Sequence, residues 1–184
     1  MANENKKKHK FKTLDLVYIG LAAALIAICA WITIPLTVPI TLQTLGVCLV
    51  AGLFGAKKGT FSVIIYIILG AIGVPVFSGF RGGIGVIAGS TGGYMLGFIF
   101  TALIVGIVSE RTNKLWAIAL SMAGGILICY AFGTAWFAFV YAKDNSPASL
   151  ATILGWCVFP FLLPDAVKII SAALLTNRLK RFIK

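Results

Sequence analysis

The sequence predicts an all-α integral membrane bundle of six transmembrane helices, with both termini on the cytoplasmic side. Three observations carry that fold class. The 184 residues are 60% hydrophobic and 11% charged, with a mean hydropathy of +1.01. Soluble domains run at about 45–50% apolar and 25% charged, and a soluble globule of this length has too little interior to hide the excess. Long stretches carry no charge at all: 41 residues separate Asp15 from Lys57. Finally, the 16 Lys and Arg residues, set against 5 Asp and Glu, gather at the chain ends and in the gaps between apolar runs. That arrangement orients a membrane protein and does not describe a nucleic-acid-binding face, so no nucleic-acid partner is expected.

The elements follow in order within a single domain, 1–184. A basic tail, 1–13, holds Lys6, Lys7, Lys8, Lys10 and Lys12. The first helix, about 14–34, resembles a signal peptide only in its basic start. Its apolar run is longer than a usual signal core, and no small-residue cleavage site follows, so it is expected to be retained. Pro35 and Pro39 interrupt the charge-free stretch. Proline lacks a backbone donor and disfavours helix in the residue before it, so a turn there leads to a second helix at about 40–55. The third helix, about 59–74, follows Lys57 and Lys58. The apolar segments 41–54 and 60–73 have 14 residues each, which is about 21 Å at 1.5 Å per residue, short of a hydrocarbon core about 30 Å thick.

The next segment, 75–93, has seven glycines in 19 residues, yet its other members are mostly apolar. A solvated linker would be polar. An apolar, Gly-rich segment reads as folded backbone capping a cavity on the outer side. Three more helices follow at about 94–109, 115–141 and 149–176, with a polar turn at 143–147. No internal repeat is evident. Thirteen Lys and Arg residues then fall on one side and only Arg81 and Lys143 on the other, with Lys168 inside the last helix. That asymmetry places both termini in the cytoplasm.

Asp165 and Lys168 are the chemically conspicuous residues. They stand three apart on one face of the last helix, and intramembrane charges are expensive enough to suggest function. Pro160 and Pro164 precede them and free nearby backbone carbonyls. A ligand-binding pair and a structural ion pair are the competing readings. Arg81 is the charge of the Gly-rich loop; it suits bidentate carboxylate recognition, with a solvated headgroup-level charge as the alternative. Gln43, early in the second helix, needs hydrogen-bond partners if buried and serves either a ligand or a neighbouring helix. Gly20/Ala24 and Ala23/Ala27 are small-xxx-small pairs in the first helix, a candidate docking face for another membrane subunit.

Other chemistry is missing. The Gly-rich run lacks the Gly-Lys-Ser/Thr of a phosphate loop, and the single histidine, His9, lies in the basic tail. His-based metal sites and Ser-His catalysis are therefore not expected, nor is a cofactor. Cys29, Cys48, Cys129 and Cys157 match no metal spacing and read as packing residues.

The run Val38-Pro-Ile-Thr-Leu-Gln-Thr-Leu-Gly46 resembles the start of the second helix in the BioY family, the biotin-binding S components of energy-coupling-factor (ECF) transporters. The resemblance continues through Gly73-Val-Pro-Val-Phe77, Gly79-Phe-Arg-Gly-Gly-Ile-Gly85, Gly89-Ser-Thr-Gly-Gly-Tyr94 and Asp165-x-x-Lys168, and so spans nearly the whole chain. Ser90 stands where the family loop often has proline. The resemblance implies six helices around an outward-opening cavity that captures biotin, and implies that Asp165 and Lys168 contact the biotin head group. A polar loop residue of the family, Asn in some members, falls on Arg81. Gln43, Phe77 and Tyr94 lie in the matching motifs and join the expected binding set. The resemblance also implies partners: a transmembrane coupling subunit and two cytoplasmic ATP-binding subunits, at the cell membrane of a prokaryote.

For the biotin that the resemblance implies, Asp165 can accept from the ureido N–H groups, Lys168 can neutralise Asp165 and donate to the carbonyl, and Arg81 can meet the carboxylate. The opposite assignment, with Lys168 on the carboxylate, fits the sequence too. A stand-alone secondary transporter, acting as an oligomer, is the rival function. A membrane enzyme is disfavoured by the lack of His and the shortage of acids.

Overall fold

The structure is a computed structural model that describes residues 12–144 and 148–183. Lys6, Lys7, Lys8, His9, Lys10 and Lys184, and residues 145–147 of the expected turn, lie outside the described residues. The chain runs α1 (Thr13–Trp31), β1 (Thr33–Ile34), β2 (Ile40–Thr41), α2 (Gln43–Ala71), α3 (Ile84–Ala88), α4 (Gly92–Arg111), α5 (Leu115–Asp144), α6 (Leu150–Cys157) and α7 (Phe159–Ile183). Five helical runs are long and apolar enough to cross a membrane: Thr13–Trp31, Gln43–Ala71, Gly92–Arg111, Leu115–Lys143 and Leu150–Phe182. The chain is a helical membrane protein. Leu21, Leu127, Leu163 and Ile170 are exposed on its outer surface, where lipid tails replace water as the solvent.

α1 ends earlier than the sequence suggests. At Ile32 the backbone turns extended (φ −78°, ψ 95°), and residues 33–34 pair antiparallel with 40–41, Thr33 facing Thr41 and Ile34 facing Ile40. The two prolines lie in the loop between these strands, where their missing N–H groups cost no ladder bond. α2 therefore starts at Gln43, not near 40.

α2 is not a straight rod. Gly55 has φ +80° and ψ −177°, a backbone region essentially reserved for glycine. Around it the chain folds back on itself. Gln43 Nε2 donates to the Tyr66 hydroxyl at 2.9 Å, although 23 residues of straight helix would separate them by about 34 Å. A Cβ on Gly59 would lie 2.8 Å from the Ala51 Cα. The halves 43–54 and 56–71 thus pack as antiparallel neighbours. Glu110 holds the turn: its Oε1 accepts from the Ala56 N–H at 2.9 Å, meeting an orphan donor at the start of the second half. A side chain at Gly55 would collide with the same carboxylate.

α4 packs between α2 and α5, α1 lies on α2, and α7 lies on α2 and α5. Contacts gather several basic segments at one end of the bundle. Lys58 pairs with Asp15 at 2.7 Å, the Gly55 turn meets Glu110, and Lys180 donates to the Ser109 carbonyl. At the other end Trp31 Nε1 donates to the Pro75 carbonyl at 3.0 Å, its ring stacks on Phe80 with centroids 5.0 Å apart, and Trp136 Nε1 donates to the Gly89 carbonyl at 2.9 Å.

The last apolar run, expected as one helix at 149–176, is two helices. Ser149 caps α6, accepting from the Thr152 N–H at 3.2 Å. Val158 leaves helical geometry (φ −129°, ψ −57°), next to Phe159 and Pro160, whose ring disfavours a continuous helix in the preceding residues. α7 then carries Pro164 and continues to Ile183.

The first-helix docking set divides. Gly20 and Ala24 are exposed, while Ala23 and Ala27 are 3% and 5% exposed and sit in the core. The two pairs of the expected docking set thus differ in exposure. The two pairs lie on adjacent rows of α1, and the row containing Ala23 and Ala27 is covered by the chain's own α2, whose Gly46 admits Cys29 and Ile26 at close range.

Candidate functional site

At the end of the bundle that holds the β1–β2 loop lies a partly open cavity. β2 and its loop, the start of α2, the 77–86 segment, the start of α4, the middle of α5 and the first turns of α7 all contribute to its wall. The break at Val158 matters here, because it begins α7 beside the cavity and aims Asp165 and Lys168 inward.

The floor is a charged network. Lys168 Nζ donates to Asp165 Oδ1 at 2.7 Å, and the Thr44 hydroxyl donates to the same oxygen at 3.0 Å. The Tyr130 hydroxyl donates to Asp165 Oδ2 at 2.5 Å. Asp165 is 2% exposed and Lys168 6%. Burying such charges is costly unless they are paired and hydrogen-bonded, and three donors from three helices meet that requirement for the carboxylate. A carboxylate offers about four lone-pair positions, so Asp165 retains room for a further donor. The Lys168 ammonium has three N–H groups and spends one on Asp165.

The walls are apolar: Val38, Phe77, Met95, Phe98 and Phe161. Phe77 meets Tyr66 edge to face at 5.5 Å and lies against Gly70, where any Cβ would overlap its ring. Glycine at 70 is thus what lets the loop descend onto α2. The Tyr94 ring lines the cavity, and its hydroxyl donates to the Cys157 carbonyl at 3.0 Å, serving a carbonyl left over where α6 stops.

The mouth is polar. Arg81 is exposed; its Nε donates to the Ser78 carbonyl at 3.1 Å, and the Phe77 N–H donates to the Arg81 carbonyl at 3.0 Å. The tight turn between them needs positive φ at Gly79 (70°) and Phe80 (56°). The Ser78 hydroxyl bonds Thr33 Oγ1 at 3.0 Å, tying this turn to β1.

All six expected binding residues, Asp165, Lys168, Arg81, Gln43, Phe77 and Tyr94, line this one cavity. Gln43 does so while bonding Tyr66, so it joins the two halves of α2 at the same time. Sequence reading missed Thr44 and Tyr130. Thr44 adjoins Gln43 within the quoted motif; Tyr130 stands alone in a long apolar run, with nothing local to tie it to Asp165. Cys129, expected to be packing, is buried and lines the cavity as well. Among the described residues no group of three or more His, Cys, Asp or Glu is placed to hold a metal ion.

Comparison with known proteins identifies the family. The BioY family model matches residues 4–184. The chain is 40% identical over 169 residues to the biotin transporter BioY of Thermotoga maritima, covering 91% of this chain and 96% of that one. It is 36% identical to the probable biotin transporter BioY of Pyrococcus horikoshii, covering 92% and 98%. It also resembles the crystal structure, at 2.1 Å, of the S-component for biotin from an ECF-type ABC transporter. That likeness has a TM-score of 0.82 and 27% identity, and covers 98% of this chain and 95% of that one.

Proposed function

This chain belongs to the BioY family, and we propose that it is the biotin-capture subunit of an ECF-type vitamin importer. The observation that carries the proposal is the Asp165–Lys168 pair, braced by Thr44 and Tyr130, at the floor of an apolar-walled cavity. Biotin is built to match. Its ureido ring has N–H donors and a carbonyl acceptor, its thioether ring and chain are apolar, and its carboxylate sits at the far end. Asp165 takes a ureido N–H with its remaining lone pair. Lys168 gives a free N–H to the ureido oxygen. The aromatic walls of Phe77, Tyr94 and Phe161 enclose the ring, and Arg81 receives the carboxylate at the mouth.

The α2 hairpin supplies two crossings, which with α1, α4, α5 and the α6–α7 run makes six in all. Both termini are then cytoplasmic, and the cavity opens outward at a prokaryotic cell membrane. The chain carries out no chemistry of its own. Its partners are a transmembrane coupling subunit, docked on the exposed Gly20–Ala24 row of α1, and two cytoplasmic ATP-binding subunits that hydrolyse ATP. Calorimetric titration of the purified chain with biotin, thiamine and riboflavin tests the reading. Tight binding of biotin alone is expected; absence of biotin binding, or preference for another vitamin, refutes it.

A further inference from the structure

The cavity does not end at Arg81. Beyond it lies a vestibule, open to solvent, between the β1–β2 loop and the 78–91 segment. The two spaces share Pro39, Ser78, Arg81, Val86 and Thr91. Their chemistry differs. The inner cavity has aromatic walls, whereas the vestibule is lined by Thr37, Ser90, Gly85 and Gly89 beside Pro35 and Leu36 and has the larger polar share of the two. Arg81 carries the charge at the threshold. Its Nε is held by the Ser78 carbonyl, which leaves the terminal N–H groups of the fork for other acceptors.

Resting on the biotin reading above, a head group seated on Asp165 and Lys168 brings the carboxyl end to this threshold. A substituent on that carboxyl then enters the vestibule instead of striking a wall. We propose that the vestibule is a second subsite, and that this chain also binds biotin extended at its carboxyl carbon by an amide, as in biotin joined to the ε-amine of lysine. The amide keeps a carbonyl acceptor for Arg81 and loses only the charge. The polar amino-acid end then lies in the more polar of the two spaces. Hydrolysis of peptide bonds in proteins that carry biotin on lysine is the class of reaction that supplies such a ligand. Modification at the ureido end has no comparable space, because Asp165 and Lys168 are buried at the closed end.

Competition against radiolabelled biotin on the purified full chain tests this. The lysine amide is expected to displace biotin with an affinity within about tenfold of biotin itself, about 1.4 kcal/mol. Arg81→Gln is expected to weaken biotin by about tenfold or more and the amide by much less, since only biotin loses a charge-assisted bond. Thr37 lines the vestibule and not the inner cavity, so Thr37→Trp should weaken the amide about tenfold and leave biotin unchanged, as a space-filling effect confined to one subsite. Failure of the amide to displace biotin at large excess overturns the second subsite while the biotin reading stands. Equal losses for both ligands in Thr37→Trp also overturn it. No binding of biotin itself overturns the underlying reading together with this one.

Discussion

Asp165 accepts hydrogen bonds from Lys168, Thr44 and Tyr130, and its place at the cavity floor depends on all three. Removing one member of a buried ion pair leaves a charge desolvated and unpaired, at about 3–5 kcal/mol. Asp165→Asn is therefore expected both to lower the unfolding temperature in detergent and to abolish biotin binding. The double change Asp165→Asn with Lys168→Met removes both charges and relieves that penalty. It should restore a monodisperse, thermally stable protein that still fails to bind biotin in a titration; near-normal affinity would mean that the pair is structural only. Tyr130→Phe makes a milder test. A hydrogen bond to a charged group contributes about 1.5–3 kcal/mol, so losing the 2.5 Å bond should weaken biotin roughly ten- to hundredfold. Unchanged affinity in Tyr130→Phe would remove Tyr130 from the site.

At the scale of elements, the decisive feature is the reversal inside α2. Gly55 combines positive φ with an extended ψ, and Glu110 fills the space that a side chain would need. Gly55→Ala should then cost about 1–3 kcal/mol of backbone strain, besides displacing the carboxylate that caps Ala56. A clear drop in unfolding temperature is the expected result, and a variant as stable as the parent would show that the turn tolerates a side chain. α1 yields a paired test. Ala24→Leu adds bulk to an exposed row and should leave biotin binding and stability unchanged while reducing co-purification with the coupling subunit. Ala23→Leu adds bulk to the buried row, where overpacking costs about 1–3 kcal/mol, so it should destabilise the isolated chain. Reduced assembly with Ala23→Leu but not Ala24→Leu would move the docking surface elsewhere.

At the scale of the whole molecule, the contacts place the start of α1, the Gly55 turn and the ends of α4 and α7 together, far from Arg81 and the cavity mouth. With the basic residues on the first of these ends, a cytoplasm-dependent reporter fused after Lys184 should be active, and a cysteine placed at Arg81 should react with an impermeant thiol reagent added to intact cells. An inactive reporter, or labelling only after lysis, would invert the orientation.

Membrane class, the positions of most helices and the Asp165–Lys168 pair were legible in the sequence, because each depends on local quantities. Hydropathy integrated over a bilayer thickness marks the helical runs, proline marks where they stop, and a charge among apolar neighbours is conspicuous wherever it sits. The resemblance to the BioY family likewise rested on short contiguous motifs. Tertiary structure decided what depends on residues distant in the chain. Tyr130 and Thr44 reach Asp165 from 35 and 121 positions away, and no periodicity encodes such a meeting. The break at Val158, which aims α7 into the cavity, lies beside Pro160, whereas α7 continues through Pro164, and the sequence alone does not say which of the two prolines ends a helix. Likewise, Ala23 and Ala24 are equally small and adjacent, and only the packing of α1 on α2 settles which of them is buried: at 3.6 residues per turn, neighbouring residues face different directions, and the sequence does not say which direction the partner helix occupies.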